Sequence, residues 1–153
     1  MKSINRCQIP QVRLVYTFNE TLSERKVVTR SEDAFDVFFQ SWDKETIDHH
    51  ESFKVLLLNR GNNVLGIASI SEGGTAGTVV DIKIIFQYAL LSHASSIILA
   101  HNHPSGNLKP SDADIEITKK IKEAGQLFTI NVLDHLILVN SSYYSMQDNG
   151  LIN

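Results

Sequence analysis

Ser96-Ile97-Ile98-Leu99-Ala100-His101-Asn102-His103-Pro104-Ser105-Gly106-Asn107-Leu108-Lys109-Pro110-Ser111-Asp112-Ala113-Asp114 is the stretch on which the fold turns. Ser96–Ala100 is short and largely apolar, as suits a strand covered on both faces. Where it runs out, His101 and His103 follow. Extended backbone sends residues i and i+2 to the same side, about 7 Å apart. Two imidazoles so placed can converge on one cation, about 2.0–2.1 Å from each nitrogen. Pro104 lacks an amide hydrogen and discourages the strand from continuing. The Ser105-Gly106-Asn107 turn and Pro110 fold the chain back toward a helix that starts near Ser111. Asp114, on its first turn, can swing a carboxylate toward the histidines. Two nitrogens and one oxygen suit a zinc site that leaves a fourth position to water, whereas a structural site wants a fourth side chain. The same residues have a plainer reading: two polar residues at a strand edge, and Ser111-x-x-Asp114 as an N-terminal cap.

Outward from this stretch, apolar periodicity alternates between helix and strand. Toward the C-terminus, Ile117, Ile121 and Ala124 mark one helical stripe that stops at Gly125. Phe128–Leu133 and Leu136–Val139 read as strands, and Tyr143–Ser145 as a further one. Toward the N-terminus, Asp81 caps a helix with Ile82, Ile85, Phe86, Ala89 and Leu90 on one face. His93 near its end reads as a capping or surface residue. The turn Gly73-Gly74-Thr75-Ala76-Gly77 lacks the spacing of a phosphate-binding loop and reads as a tight connection. Phe53–Asn59 and Val64–Ser71 flank Arg60-Gly61-Asn62-Asn63, a hairpin pattern. Ser31 can cap a helix that buries Phe35, Phe38, Phe39 and Trp42. Lys26–Thr29 and Val12–Tyr16 read as short strands. The expected architecture is α/β, a mixed central sheet sandwiched between helices. Residues 44–153 read as the compact unit, and residues 1–43 as an N-terminal extension with one helix.

Composition bounds the rest. The chain has 153 residues, 42% of them hydrophobic and 20% charged, with a formal net charge of -3. That is one ordinary domain with enough apolar content to exclude disorder. The acidic balance argues against a general grip on nucleic acid or an anionic membrane. Cys7 is the single cysteine, so there is no disulfide framework and no all-thiolate metal site. The polar start, Met1 to Pro10, has no apolar core of signal-peptide length, and no run approaches a membrane span. The expectation is a soluble, cytoplasmic protein.

His-x-His-Pro, six residues, then Ser-x-x-Asp resembles the JAMM signature of the JAB/MPN metalloprotease superfamily. His101-Asn102-His103-Pro104-Ser105-Gly106, Pro110-Ser111 and Asp114 are similar to its RadC-like branch, as are Gly74–Asp81 and Asp134-His135-Leu136-Ile137. The resemblance covers roughly residues 45–153, as in a short member without an N-terminal helix-hairpin-helix region. It implies an α/β/α sandwich related to cytidine deaminase and one Zn2+ per chain, held by His101, His103 and Asp114. It implies zinc-dependent hydrolysis of an amide or isopeptide bond in a peptide or protein substrate through an activated water. Ser111 would help hold the oxyanion, and an upstream glutamate would hold that water and move its proton. Glu51, just before Phe53–Asn59 and 50 residues ahead of His101, is preferred over Glu72, which sits beside a glycine turn. His49 and His50 receive no role. Asp134-His135 could support a metal ligand from behind, but is read as a structural pair at a strand junction, outside the site. Two other readings stand beside hydrolysis: a DNA-repair-associated or nucleic-acid-processing accessory protein, and a non-catalytic metal-binding interaction module. Zinc deamination would expect His-x-Glu and Pro-Cys-x-x-Cys, which one cysteine cannot supply. Substrate identity and oligomeric state are not written in these residues.

Overall fold

The computed structural model describes residues 21–73 and 79–152. Cys7, Val12–Tyr16 and most of the Gly73–Gly77 turn lie outside the described residues. Among the described residues, three α-helices and five strands follow in the order α1 (Ser31–Ser41), β1 (Ser52–Leu58), β2 (Val64–Glu72), α2 (Ile82–Leu91), β3 (Ser96–Asn102), α3 (Asp112–Phe128), β4 (Asn131–Val139) and β5 (Ser142–Ser145). The strands form one sheet in the order β2-β1-β3-β4-β5. Only β3 and β4 run parallel, joined by the α3 crossover; every other pairing is antiparallel. This is the expected mixed sheet between helices.

Alternation along the central strands divides the core in two. Phe53, Val55, Leu57, Ile97 and Leu99 pack under α2 and α3 with Ile85, Phe86 and Ile121. Leu56, Leu58, Ile98, Ala100, Leu136 and Leu138 pack on the opposite face with Ala34, Phe38 and Trp42 of the α1 region. All seven residues of β3 are buried, as a central strand with both faces covered requires. The aromatic stripe of α1 is thus one wall of the core.

Several boundaries differ from the sequence reading. The N-cap of α1 is Arg30, with Ser31 its first helical residue. Asp33 satisfies the first turn, its carboxylate accepting the amides of Thr29 at 2.8 Å and Arg30 at 3.2 Å. Lys26–Thr29 makes a single bridge, Val27 to Asn63, rather than a strand. β3 does not end at Ala100 but carries His101 and Asn102 into the sheet. α3 continues past Gly125 to Phe128 and ends at Thr129 in the left-handed conformation. Gly125 is there for closeness: a Cβ on it would collide with the backbone carbonyl oxygen of Ile130, where the chain doubles back into β4. Phe128 is therefore helical, and the two expected C-terminal strands are one continuous β4. Asp81 does cap α2, accepting the amide of Lys83 at 2.9 Å. His93, exposed and at φ 55°, closes that helix as a surface residue.

Phe38 is fully buried between α1 and the sheet. Phe38→Ala should cost about 3–5 kcal/mol in urea unfolding, in one cooperative transition. A loss below about 1 kcal/mol would show that α1 contributes little to the unit on which it packs.

Candidate metal centre

The extension of β3 by two residues sets the geometry. His101 pairs in register with Phe53 of β1, and its ring lies parallel to the Phe53 ring at 6.1 Å, on the α3 side of the sheet. His103 lies one residue beyond the strand, but its amide still donates to the Leu138 carbonyl at 2.9 Å. Strand geometry therefore persists far enough to put both imidazoles on one side. Their Nε2 atoms come within 2.9 Å of each other. Asp114, on the first turn of α3, brings Oδ1 to 3.2 Å from Nε2 of His101 and Oδ2 to 3.5 Å from Nε2 of His103. Among the described residues, no other group of three or more His, Cys, Asp or Glu gathers its ligand atoms within 4.8 Å.

Both rings are held from behind. Nδ1 of His103 lies 2.5 Å from the Asn107 carbonyl oxygen, which can only accept, so that nitrogen carries the hydrogen. The loop supplying the carbonyl is closed by the Gly106 amide on the His103 carbonyl at 3.0 Å. Gly106 takes φ 78°, where a side chain would be strained. Nδ1 of His101 lies 2.8 Å from Nε2 of His135. Each ring is thus anchored through Nδ1 and turns Nε2 inward. Two imidazole nitrogens and a carboxylate oxygen on a common centre are a donor set that fits a divalent transition ion such as zinc.

These groups bias one another's protons. Burial acts to raise the pKa of Asp114, but its close contacts with the His101 and His103 rings and the hydrogen bond from the Ser111 amide outweigh it. The carboxyl is held far below the usual range. The hydrogen bond to Asp114 in turn raises His103, against a smaller opposing effect of burial.

Ser111 caps α3. Its hydroxyl accepts the Asp114 amide at 3.1 Å and donates to Oδ2 of Asp114 at 2.7 Å, while its own amide donates to that oxygen at 2.7 Å. The capping reading and the proximity to the centre are both true, because the capping partner is itself the carboxylate of the cluster.

The two glutamates occupy different surroundings. Glu51 is half-buried just before β1, and its charge contributes to raising the His103 pKa. Glu72, exposed at the end of β2, acts instead on Lys54. The ammonium of Lys54 lies on the other side of the sheet, over the Trp42 ring at 4.7 Å. The sequence reading gave no role to Asn102, yet this buried amide holds the backbone on either side of Glu51. Its Oδ1 accepts the Ser52 amide at 2.7 Å, and its Nδ2 donates to the carbonyls of His50 at 2.9 Å and Ile47 at 2.6 Å. The signal was present as period two: the residue between two inward-facing histidines must face the other way.

His135 corrects the reading of Asp134-His135 as one structural pair. Asp134 is structural, its buried carboxylate accepting from Ser145 Oγ at 2.6 Å and the amides of His135 and Gln147. His135, fully buried on the opposite face of β4, contacts His101 and lies 2.6 Å from Thr118 Oγ1 through Nδ1. Burial, then the neighbouring His101, keeps its pKa well below the ordinary imidazole value. His49 is exposed and His50 half-buried, and neither belongs to the cluster.

The family model described as "RadC-like JAB domain" matches residues 28–151. A UPF0758 protein of Flavobacterium johnsoniae is 45% identical over 134 residues, covering 86% of this chain and 56% of the relative. A UPF0758 protein of Salinibacter ruber is 40% identical over 133 residues, covering 85% of this chain and 54% of the relative. The chain thus spans about half the length of the curated relatives it matches.

The proton arrangement predicts a pH signature for the metal-free protein. His103 has a folded pKa raised above about 6.5, so its contribution is complete below that value and is lost as pH rises through the raised one. Asp114 has a depressed folded pKa, so its contribution is present above about 3.9 and is lost as pH falls. In chelator, the stability gap between wild type and Asp114→Asn should be widest between about pH 4 and 6.5 and should narrow above it. A gap that does not change with pH would show that the three groups are not coupled. Separately, Asn102→Ala strands the buried Ser52 amide and should cost about 1–3 kcal/mol of stability. It should leave zinc stoichiometry unchanged, as measured by metal analysis.

Proposed function

The chain belongs to the RadC-like JAB domain family, and from that premise and the geometry of its site we propose that it is a zinc-dependent metallopeptidase. Its proposed substrate is a peptide or protein amide, or an isopeptide bond. The observation that carries the reading is the convergence of both histidine Nε2 atoms on the Asp114 carboxylate, with each Nδ1 already engaged. A capping cluster alone would need only Ser111 and Asp114.

His101, His103 and Asp114 would hold the ion, which supplies Lewis acidity and lowers the pKa of water from about 15.7 toward about 7. Glu51 takes the water proton and delivers it to the leaving amine, as a general base near a neutral working pH can. Its support is the effect of its charge on His103 and the clamp of Asn102 on the flanking backbone. A base must be within hydrogen-bond reach of its proton, and a fixed backbone keeps it there. Ser111 stands next to the carboxylate ligand, and its hydroxyl hydrogen would turn from Asp114 Oδ2 toward developing oxyanion charge. One such donor is worth about 3 kcal/mol in comparable sites. Leu108 and Pro110, in the loop between His103 and Asp114, join Ile115, Tyr144 and Leu151 around a cavity of about 460 Å³. It offers a seat to an apolar side chain of the substrate. Among the described residues no helix is long and apolar enough to cross a membrane.

His103→Ala should lose stoichiometric zinc. Glu51→Gln should keep zinc and lose at least about 100-fold in turnover, the usual contribution of a general base. Both are read by metal analysis together with cleavage of peptide and isopeptide libraries. Full activity in Glu51→Gln would move the base elsewhere, with Glu72 next to be examined. Zinc uptake without cleavage of any library by the wild type would favour a metal-binding interaction module.

A further inference from the structure

We infer that His135 and Thr118 form a hydrogen-bond relay that fixes which nitrogen of His101 carries a proton, keeping its Nε2 lone pair aimed at the centre shared with His103 and Asp114. The inference rests on the metal-site reading above but is independent of the reaction.

Donor bookkeeping gives the direction. Thr118 Oγ1 lies 2.5 Å from the backbone carbonyl oxygen of Asp114 and 2.6 Å from Nδ1 of His135. The carbonyl can only accept and the hydroxyl has one hydrogen, so that hydrogen lies on the carbonyl. Thr118 then has only lone pairs to offer His135, whose Nδ1 must carry the hydrogen. His135 is fully buried and neither of its ring nitrogens meets a carboxylate, so a charge there would be uncompensated and its Nε2 is bare. That bare nitrogen accepts from Nδ1 of His101 at 2.8 Å. With its Nδ1 hydrogen committed, His101 has only Nε2 left for exchange between a proton and a metal. The sulfur of Met146, 3.6 Å from Thr118 Oγ1, is the other acceptor in reach. Donation there would still leave Thr118 accepting from His135, so the direction is the same.

The relay begins on the backbone of Asp114 and ends at the ring whose Nε2 faces the same residue's carboxylate. Two of the three ligands are thereby tied through α3, β4 and β3. Without the Thr118 oxygen the pair can invert: His135 donates from Nε2, and His101 carries its hydrogen on Nε2 toward Asp114. A metal must then displace that hydrogen. Loss of such an outer partner typically weakens metal binding about 10–100-fold.

The test is long-range proton–nitrogen NMR of the histidine side chains in the full chain, metal-free and with Zn2+. Wild type, Thr118→Val and Thr118→Ser are compared, and zinc affinity is measured by chelator competition. Expected in wild type are hydrogens on Nδ1 of His101 and of His135 in both states, with Nε2 of His101 and of His103 responding to zinc and neither nitrogen of His135 doing so. Thr118→Val should mix the tautomers and weaken zinc binding about 10–100-fold, and Thr118→Ser should restore both. A wild-type His101 with bare Nδ1, or a Val variant with unchanged tautomers and affinity, overturns the relay. A wild type that takes up no zinc overturns the relay together with the metal site. Zinc uptake with the expected tautomers but no amide cleavage sinks the peptidase reading and leaves the relay standing.

Discussion

Two imidazole nitrogens 2.9 Å apart, each facing one carboxylate, are the constraint on which the rest of this structure depends. Lone pairs at that distance repel unless something positive stands between them. A proton can do so for one pair of atoms, and the raised His103 and lowered Asp114 pKa values record that solution. A divalent ion can do so for all three ligands, and it competes for the same place, so proton and metal binding are linked. The fold must hold the arrangement rigidly, because every group in it would separate if free.

The sheet supplies that rigidity through register. Pairing of β3 with β1 places Phe53 against His101 and brings the segment carrying Glu51 to the strand end where the histidines emerge. Parallel pairing of β3 with β4 continues through Asn102 opposite Leu138, so His103 leaves the sheet with its amide still bound. The α3 crossover lays Thr118, one helical turn beyond Asp114, beside His135 of β4. The ligands come from β3 and α3 and their support from β4 and the intervening loop. A slip of one residue in either pairing would turn a histidine to the opposite face.

The local patterns were readable in the sequence because they are local. His-x-His at the end of an apolar run, followed by Ser-x-x-Asp at a helix start, fixes a face and a cap from spacing alone. The helical stripe of α1 and the hairpin of β1 and β2 are equally short-range. What the sequence did not disclose depends on packing across the sheet. His135 looked like part of a polar break because Asp134 precedes it. Only the three hydrogen bonds to Asp134 allow that carboxylate inside a strand, and they come from Ser145, Gln147 and the His135 amide. Gly125 looked like a helix stop because glycine commonly is one. Its real constraint, the approach of the Ile130 carbonyl, belongs to the next element. Thr118 carries no signal at all until His135 is known to lie beside it.

Asn102 shows how much one alternation can organise. Its neighbours on either side turn toward α3, so its own side chain must enter the other face, where an unpartnered amide would be costly. There its single side chain engages two carbonyls and one amide of the segment from Ile47 to Ser52. The strand that aims the two imidazoles therefore also fixes the backbone that carries Glu51. The two histidine ligands and the candidate base are referenced to three consecutive residues, so any motion of the β3 tip moves them together and preserves their relative placement. A site assembled from separate loops would need independent means of keeping that spacing. Here the pleat of a buried strand provides it.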